Sequence, residues 1–472
     1  MAKRFTVILS VAGILLRVIP IWAMPTWYDE NFTILVSRLP LDRLIAATAG
    51  DVHPPLWYLI CWPLAQIPGL PSWIGIRLPA LIAGIATIWI WWEILQVMAT
   101  NERVKLAAFG LFCLLPQQIY YSQEGRMYSL LTLLVLSAWL AILHRRWIWL
   151  ILITILMLWL HNYGLIYCVV LWLAALAYDR RIWKPLTISL AVAGLSFIPW
   201  VIVLLSQMRE IYGTYWMINL TPVSVLVDLA HSYFGNSQLD ADMVNFAVFT
   251  GLLVWAIIWT IRRRSFNLPL LILAFAPLAL AVVISLVWQP IILFRGLVPS
   301  GTFIALILAQ PVEYLGRKGL LLVGVFLVPA LVVNLAGIAF RYKWADKLNL
   351  EDKAIEIIDA GWQDGDLLYF NDTGTFVTGA VSWENINNTL QIPSCGSVYG
   401  GLSPTTKAAL GMRSGPLPIE ANRIWVVAGE SPFIPACENS YLKDNGLLNS
   451  EPVYCPLDNQ LTRSCVYLVV KN

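Results

Sequence analysis

Long apolar stretches, separated by short breaks that are often basic, dominate the first 340 residues of this chain. Runs with few or no charges lie at 5–22, 77–98, 106–121, 127–143, 147–160, 163–178, 185–206, 243–261, 268–288, 291–310 and 319–339. A helix rising 1.5 Å per residue needs roughly 17–25 apolar residues to cross the hydrocarbon core of a bilayer. Most of the runs reach that length, so the pattern predicts a multi-pass α-helical membrane protein with about eleven spans. The stretch 147–178 is one long run broken at His161-Asn162, and each half is short for a full crossing. It predicts a tight helical hairpin.

Orientation follows from the basic residues. Lys3-Arg4, Arg103 with Lys105, Arg145-Arg146, Arg180-Arg181 with Lys184, Arg262-Arg263-Arg264 and Arg317-Lys318 fall at every second break. Short cytoplasmic loops carry the excess of Lys and Arg. A cytoplasmic amino terminus therefore puts all six basic sites inside, and an odd number of spans puts the carboxyl terminus outside. The first run lacks a small-residue cleavage site before the acidic pair that follows it, so it reads as a span of a cell (inner or plasma) membrane and not as a removable signal.

Two long connections, about 23–76 and 207–242, then face outward. The first holds Leu44–Ala49 and His53-Pro54-Pro55-Leu56-Trp57-Tyr58, with an apolar stretch to Ile67. That stretch is too short and proline-rich to span, and it predicts juxtamembrane or re-entrant helices at the outer leaflet. After about Tyr342 the apolar runs stop. Residues 351–363 read as an amphipathic helix, and Asp366–Phe370, Ile424–Ala428 and Cys465–Val470 read as strands. The chain thus divides into a transmembrane module, 1–340, and an extracytoplasmic α/β domain, 341–472, long enough to bury a core of its own. Cys395, Cys437, Cys455 and Cys465 lie in that domain, where they form two disulfides in any of three pairings or stay as free thiols. Cys61, Cys113 and Cys168 lie in apolar surroundings and read as packing residues.

Composition agrees with lipid as the main solvent: 59% of residues are hydrophobic, 12% are charged and the mean hydropathy is +0.70. A soluble domain carries about 25% charged residues. The 23 Trp and 18 Tyr suit the headgroup level, where amphipathic rings are at home. The net charge of +3 singles out no partner, and nothing in the chain points to nucleic acid.

An ionisable group at membrane depth costs roughly 2.5–3.5 kcal/mol or more, so each one is a functional candidate. Here they gather at the outer ends of the runs. Asp29-Glu30 follows the first run, behind Trp27-Tyr28; Asp51 and His53 precede the double proline; Arg77 opens the second run. Gln123-Glu124-Gly125-Arg126-Met127-Tyr128 joins the third and fourth runs, His161-Asn162-Tyr163 turns the hairpin, and Arg295 lies near the outer end of the tenth. Each has a plainer reading: a solvated carboxylate loop, a local Glu124–Arg126 ion pair, a hydrogen-bonded His161 turn. Arg17 is expected to snorkel to lipid headgroups, as Arg77 is able to do. The convergence of six segments on one membrane face favours a site. A carboxylate can take a proton from an attacking hydroxyl, Arg matches phosphate oxygens bidentately, and aromatic faces suit a sugar ring or an isoprenoid tail. A substrate with a lipid tail, a phosphate and a sugar would engage all three.

These residues resemble a family. Asp29-Glu30, His-Pro-Pro-Leu-Trp-Tyr at 53–58, Arg-Leu-Pro at 77–79 and Tyr-Ser-Gln-Glu-Gly-Arg-Met-Tyr at 121–128 are similar to motifs of GT-C superfamily glycosyltransferases. The branch they resemble holds protein O-mannosyltransferases, the lipid A aminoarabinose transferase and bacterial transferases of the RgtA/B/C/D type. Phe-Arg-Gly-Leu-Val-Pro at 294–299 is similar to that branch's Arg-Tyr-Leu-x-Pro segment, with Gly296 where Tyr is usual. The resemblance covers roughly residues 1–340. It implies an inverting transferase that moves a sugar from a polyprenyl-phosphate donor to an acceptor hydroxyl of a lipid, glycan or protein at the outer membrane face. It makes Asp29 the general base, Glu30 its assistant, and Glu124, Arg126 and Tyr128 the second acidic motif. His53, Arg77 and Arg295 would bind the donor's phosphate or lipid, and Tyr28, Trp57, Tyr58, His161 and Tyr163 would line the site. Two departures concern phosphate binding: His53 stands where some relatives have Lys, and Phe32 where those relatives have Arg. Some GT-C enzymes use a divalent cation and others do not; no cofactor is fixed by this sequence.

Two other classes compete. A transporter or flippase of a lipid-linked saccharide calls for paired repeats and broken helices at the membrane midplane, whereas this chain shows no internal symmetry and its polar residues lie at the edge. A non-catalytic membrane partner would have no need to keep Asp29, Glu124 and Arg126. The sidedness is open to direct test: an alkaline phosphatase fused after Asn472 should be active and a green fluorescent protein fused there dark. The reverse pair of results removes the eleven-span reading.

Overall fold

The computed structural model describes residues 2–22, 26–211, most of 250–336, and then 350–370, 373–382, 390–392, 402–414, 423–430, 453–454 and 463–470. Among these, α1 (Ala2–Val18) runs on through a 3-10 turn to Trp22 and is followed by α2 (Tyr28–Arg38), α3 (Leu41–Ala49) and α4 (Leu56–Ala65). Next come α5 (Ser72–Met98), α6 (Glu102–Leu114), α7 (Pro116–Gln123), α8 (Tyr128–Leu143), α9 (Trp147–Leu160), α10 (Tyr163–Tyr178) and α11 (Trp183–Ile211). Then follow α12 (Leu268–Val287) and, after a 3-10 turn at Phe294–Leu297, α13 (Val298–Ala309). The carboxyl-terminal part holds α14 (Leu350–Gly361), β1 (Leu367–Phe370), α15 (Thr373–Ser382), β2 (Leu390–Ile392), α16 (Pro404–Ala409), β3 (Arg413–Ser414), β4 (Arg423–Glu430) and β5 (Arg463–Val470).

The chain forms two compact units. The first comprises residues 1–23, 74–202 and 217–342. Among the described residues, five helical segments are long and apolar enough to cross a membrane: Arg4–Trp22, Ser72–Met98, Arg180–Arg209, Leu268–Val287 and Phe294–Leu315. The pair α7 and α8, bent by 118° at their junction, makes a sixth if counted as one span, and α4, α9 and α10 are shorter apolar helices. The segment Phe294–Leu315 is 83% buried in its most apolar window, against 22% for Arg4–Trp22, so α13 belongs to the middle of this unit and α1 to its rim. Large apolar side chains such as Ile148, Trp149, Ile202, Leu286 and Val287 are exposed, as lipid-facing positions would be. The runs 243–261 and 319–339 fall partly outside the described residues.

Proline corrects one expected span. The run 106–121 is two helices, because Pro116 has no N–H to donate and holds Leu115 in an extended conformation, ending α6 and starting α7. That break explains Arg17, which does not snorkel. Its side chain is fully buried, and Nη1 donates to the carbonyls of Gly13 at 2.8 Å and Cys113 at 3.1 Å. Cys113 lies in the last turn of α6, where carbonyls lose their helical donors, and the guanidinium supplies one. Its carbon also sits 5.7 Å from the centre of the Phe112 ring. Gly84 of α5 permits a close approach: a methyl there would come within 2.6 Å of the Ser122 Cβ on α7. The hairpin expected at 147–178 forms as α9 and α10, parted by His161-Asn162 alone.

The second unit comprises residues 24–73, 203–216 and 343–472. Its sheet has the order β3-β2-β1-β4-β5, with β4 and β5 antiparallel and the other pairs parallel. Asp366, 3% exposed, precedes β1 and holds its neighbours together. It accepts from Arg423 Nε at 2.9 Å, Trp425 Nε1 at 2.8 Å and the Gln363 amide at 3.0 Å. Cys465 takes part in a disulfide, while Cys395, Cys437 and Cys455 lie outside the described residues. Cys61, Cys113 and Cys168 are free thiols. Two helices from the first long connection pack here on carboxyl-terminal helices: α2 on α15 and α3 on α16. Arg38 Nη1 donates to the Val381 carbonyl at 3.2 Å, Arg43 Nε to Ala409 at 2.8 Å, and the Thr406 hydroxyl to Ala47 at 2.9 Å.

Removing one partner of a buried, hydrogen-bonded ion pair costs roughly 3–5 kcal/mol, because the other is left uncompensated. Arg423 is partly exposed and softens that cost, so Asp366→Ala should destabilise the second unit by about 3 kcal/mol. A thermal melt of the purified protein reads it; a variant melting with the parent would show that Asp366 is not the organising contact.

Candidate active site

The expected site residues gather in two sets, one in each unit. In the second unit, the first turn of α2 carries Asp29 and Glu30, following Trp27 and Tyr28. The two neighbours differ in burial: Glu30 is fully buried while Asp29 is partly exposed. The amide groups of a first helical turn lack intrahelical acceptors and carry positive partial charge, so carboxylates are favoured there. His53, Trp57 and Tyr58 follow on the approach to α4 and in its first turn. His53 is partly exposed, whereas Trp57 and Tyr58 are fully buried. The Tyr58 hydroxyl donates to Asp51 Oδ2 at 3.3 Å, and its ring meets Phe32 edge-on at 6.0 Å. Phe32 is thus a packing residue, 4% exposed, which gives a physical reason for an apolar side chain where some relatives carry Arg.

In the first unit, Glu124, Gly125 and Arg126 form the sharp junction of α7 and α8. The Arg126 amide donates to the Glu124 carbonyl at 2.7 Å, a three-residue turn that takes the two side chains off any common helix. Both are buried, at 1% and 3% exposure. An aromatic ladder continues from there: Tyr121 to Tyr128 at 5.2 Å, Tyr128 to His161 at 5.6 Å, and His161 to Tyr163 at 5.6 Å between ring centres. Arg295 lies with its guanidinium carbon 5.8 Å from the centre of the Tyr128 ring. The structure therefore brings Glu124, Arg126, Tyr128, His161, Tyr163 and Arg295 into one neighbourhood.

His161 sits in the turn outside both apolar helices of the hairpin. Its Nδ1 accepts the Tyr163 amide at 3.0 Å, capping the start of α10. Burial pushes the imidazole down to about 3, and the charges of Arg126 and Arg295 push the same way. It is therefore neutral at physiological pH, an acceptor at Nδ1 with its proton on Nε2. Arg77 is 1% exposed, and its Nη1 donates to the Ile21 carbonyl at 3.0 Å. Among the described residues, no three of His, Cys, Asp and Glu gather to hold a metal ion.

Two polar residues of this neighbourhood, Gln118 and Tyr167, were not singled out by the sequence. Gln118 Nε2 donates to the Val298 carbonyl at 3.0 Å, tying α7 to α13. Gln123 Nε2 donates to the Leu16 carbonyl at 2.7 Å, and the Tyr167 hydroxyl donates to the Gly296 carbonyl at 3.0 Å. The signal for Gln118 was present: it falls inside an apolar run, two positions after Pro116.

No protein-family model matches this sequence, and no curated protein matches it either. Solved structures do share its fold. ArnT from Cupriavidus metallidurans, an aminoarabinose transferase, superposes in its apo state with a TM-score of 0.62 at 14% identity, over 98% of each chain. The same protein bound to undecaprenyl phosphate gives 0.61 at 13% identity, over 99% of this chain and 98% of that one. The oligosaccharyltransferase AglB from Archaeoglobus fulgidus, in complex with an inhibitory peptide and a dolichol-phosphate, gives 0.51 at 12% identity over 90% of this chain and 69% of its own. Both proteins belong to the GT-C superfamily, so the fold of this chain is the GT-C fold that its motifs resemble.

Proposed function

We propose that this chain is an inverting membrane glycosyltransferase that moves a sugar from a polyprenyl-phosphate donor to an acceptor hydroxyl at the outer face of the membrane. One observation carries the reading: an accessible Asp29 beside a buried Glu30 opens α2 in a fold shared end to end with ArnT. The acceptor class is a lipid, glycan or protein hydroxyl. The outer face follows from the alternation of basic breaks, with about eleven spans and a carboxyl-terminal α/β domain outside. A disulfide at Cys465 suits that compartment.

A hydroxyl is a poor nucleophile at neutral pH and must lose its proton as it attacks. In the proposed step Asp29 takes that proton while the acceptor oxygen bonds to the anomeric carbon. The bond from that carbon to the phosphate oxygen breaks on the opposite side, and polyprenyl phosphate leaves with the electron pair. A phosphate leaving group needs little protonation, so one base and positive charge suffice. Arg295 supplies that charge, partly exposed on an aromatic bed and suited to bidentate phosphate contact. Glu30 assists by orienting its neighbour, and His53, before α4, is a further hydrogen-bond donor to the phosphate.

General base assistance is worth roughly 10²–10⁴-fold. Asp29→Asn, which keeps the shape and loses the proton acceptor, should melt with the parent yet lose at least about two orders of magnitude in turnover. Glu30→Gln should lose less. The assay is transfer from the lipid-linked sugar that accumulates in a strain lacking the protein. Near-parental turnover in Asp29→Asn with a dead Glu30→Gln reverses the assignment, and normal turnover in both ends the catalytic reading of this turn.

Arg295→Ala should weaken binding of undecaprenyl phosphate about tenfold or more and leave acceptor use little changed. If Arg295 is instead a permanent structural partner of Glu124, the variant melts lower while lipid-phosphate affinity holds.

A further inference from the structure

The backbone that carries Arg295 is not helical until Val298. Residues Pro290 to Leu293 are irregular, and Phe294–Leu297 form a single 3-10 turn. Irregular backbone among apolar helices persists only where its polar groups find protein partners. Here most of the described partners come from one face of α10. The Tyr163 hydroxyl donates to the Ile291 carbonyl at 2.9 Å and accepts the Leu293 amide at 3.0 Å, so one phenol closes both sides of the segment. One turn later on the same helix, the Tyr167 hydroxyl donates to the Gly296 carbonyl at 3.0 Å and lies 3.2 Å from the Ser300 hydroxyl. From α12, the Ser285 hydroxyl accepts the Ile291 amide at 2.9 Å.

The fit of the ring is as close as the fit of the hydroxyl. A methyl on Gly296 would meet three atoms of the Tyr163 ring at 2.7 Å, nearer than real side chains approach. Gly296 follows Arg295 directly, so the ring of Tyr163 lies against the backbone that aims the guanidinium. The His161 cap on the Tyr163 amide fixes the start of α10, and with it the origin of the brace.

We infer that Tyr163 is a positioning residue for Arg295: its ring seats the backbone at Gly296 and its hydroxyl holds residues 291 and 293, so that the guanidinium is preset for a lipid phosphate. The inference rests on the reading of Arg295 as a phosphate contact. It also accounts for the glycine at 296, since a side chain there would displace the ring that sets its neighbour. Tyr163 then acts through Arg295 and need not touch substrate.

The test measures the affinity of the purified full-length protein for undecaprenyl phosphate in a lipid nanodisc, with a thermal melt of every variant. Tyr163→Phe keeps the ring and removes both hydroxyl bonds, and it should weaken binding about fivefold. Placed on Arg295→Ala, the same change should weaken binding no further, because the group it positions is gone. Gly296→Ala, which pushes the ring away without touching either hydroxyl partner, should act in the same direction and serves if Tyr163→Phe folds poorly. A general packing defect would lower the melting temperature and add to the loss in both backgrounds. If Tyr163→Phe and Gly296→Ala leave affinity unchanged, or weaken it equally with and without Arg295, the positioning role is overturned while Arg295 keeps its own. If Arg295→Ala itself binds undecaprenyl phosphate normally, the underlying reading of Arg295 fails.

Discussion

A helix interrupted among apolar neighbours exposes carbonyls and amides that lipid cannot satisfy, and the first unit is arranged around interruptions of that kind. At Leu115-Pro116 the carbonyl of Cys113 is met by Arg17. At the hairpin, His161 accepts the first amide of α10. Between α12 and α13, Tyr163, Tyr167 and Ser285 take up the loose backbone. Each of these braces is a buried or largely buried side chain with a polar group, most of them reaching across from another helix. The cost of a broken helix in such surroundings is thus met by cross-links that also fix where the functional side chains stand. The backbone on either side of Arg295 is held by the same contacts that make its break tolerable.

The acidic pair of the second unit shows how little chain is needed to separate two environments. Residues 30–37 of α2 are buried on every face, so Glu30 is fully buried while Asp29, one residue nearer the start of the helix, stays partly exposed. The same α2 that presents them is held at its far end by Arg38, through the Val381 carbonyl and the Ser72 hydroxyl at 2.8 Å. The burial of Glu30 and the partial exposure of Asp29 are therefore set within one short helix.

Much of this was legible in the sequence because hydrophobic period and length are local signals. The helices at 128–143, 147–160 and 163–178 follow their apolar runs within a residue, and the strands at 423–430 and 463–470 follow theirs. The polar residues of the first unit were legible as anomalies of cost, and Glu124, Arg126, Tyr128, His161, Tyr163 and Arg295 do come together. What escaped depends on tertiary partners. Thr373–Ser382 is helical despite two glycines and several β-branched residues of low helix propensity, and Phe376 packs edge-on against Phe370 of β1 at 5.6 Å. Pro116 was visible, but the apolar run before it and the Ile119-Tyr120-Tyr121 stretch after it concealed that it ends a helix. Arg17 looked like a snorkelling residue because the carbonyl it serves lies 96 positions away.

The second unit is assembled from pieces at opposite ends of the chain, and this sets an order of events during synthesis. The contact between Arg38 and Val381 spans 343 residues. Ribosomes add roughly 5–20 residues per second, so α2 waits on the order of half a minute before α15 exists to receive it. Throughout that interval the acid pair is already translated but has no native seat. A truncated chain that has inserted every apolar helix would still lack the packing that orients Asp29 and buries Glu30. Completion of the polypeptide is thus a precondition for the native packing of α2 on α15.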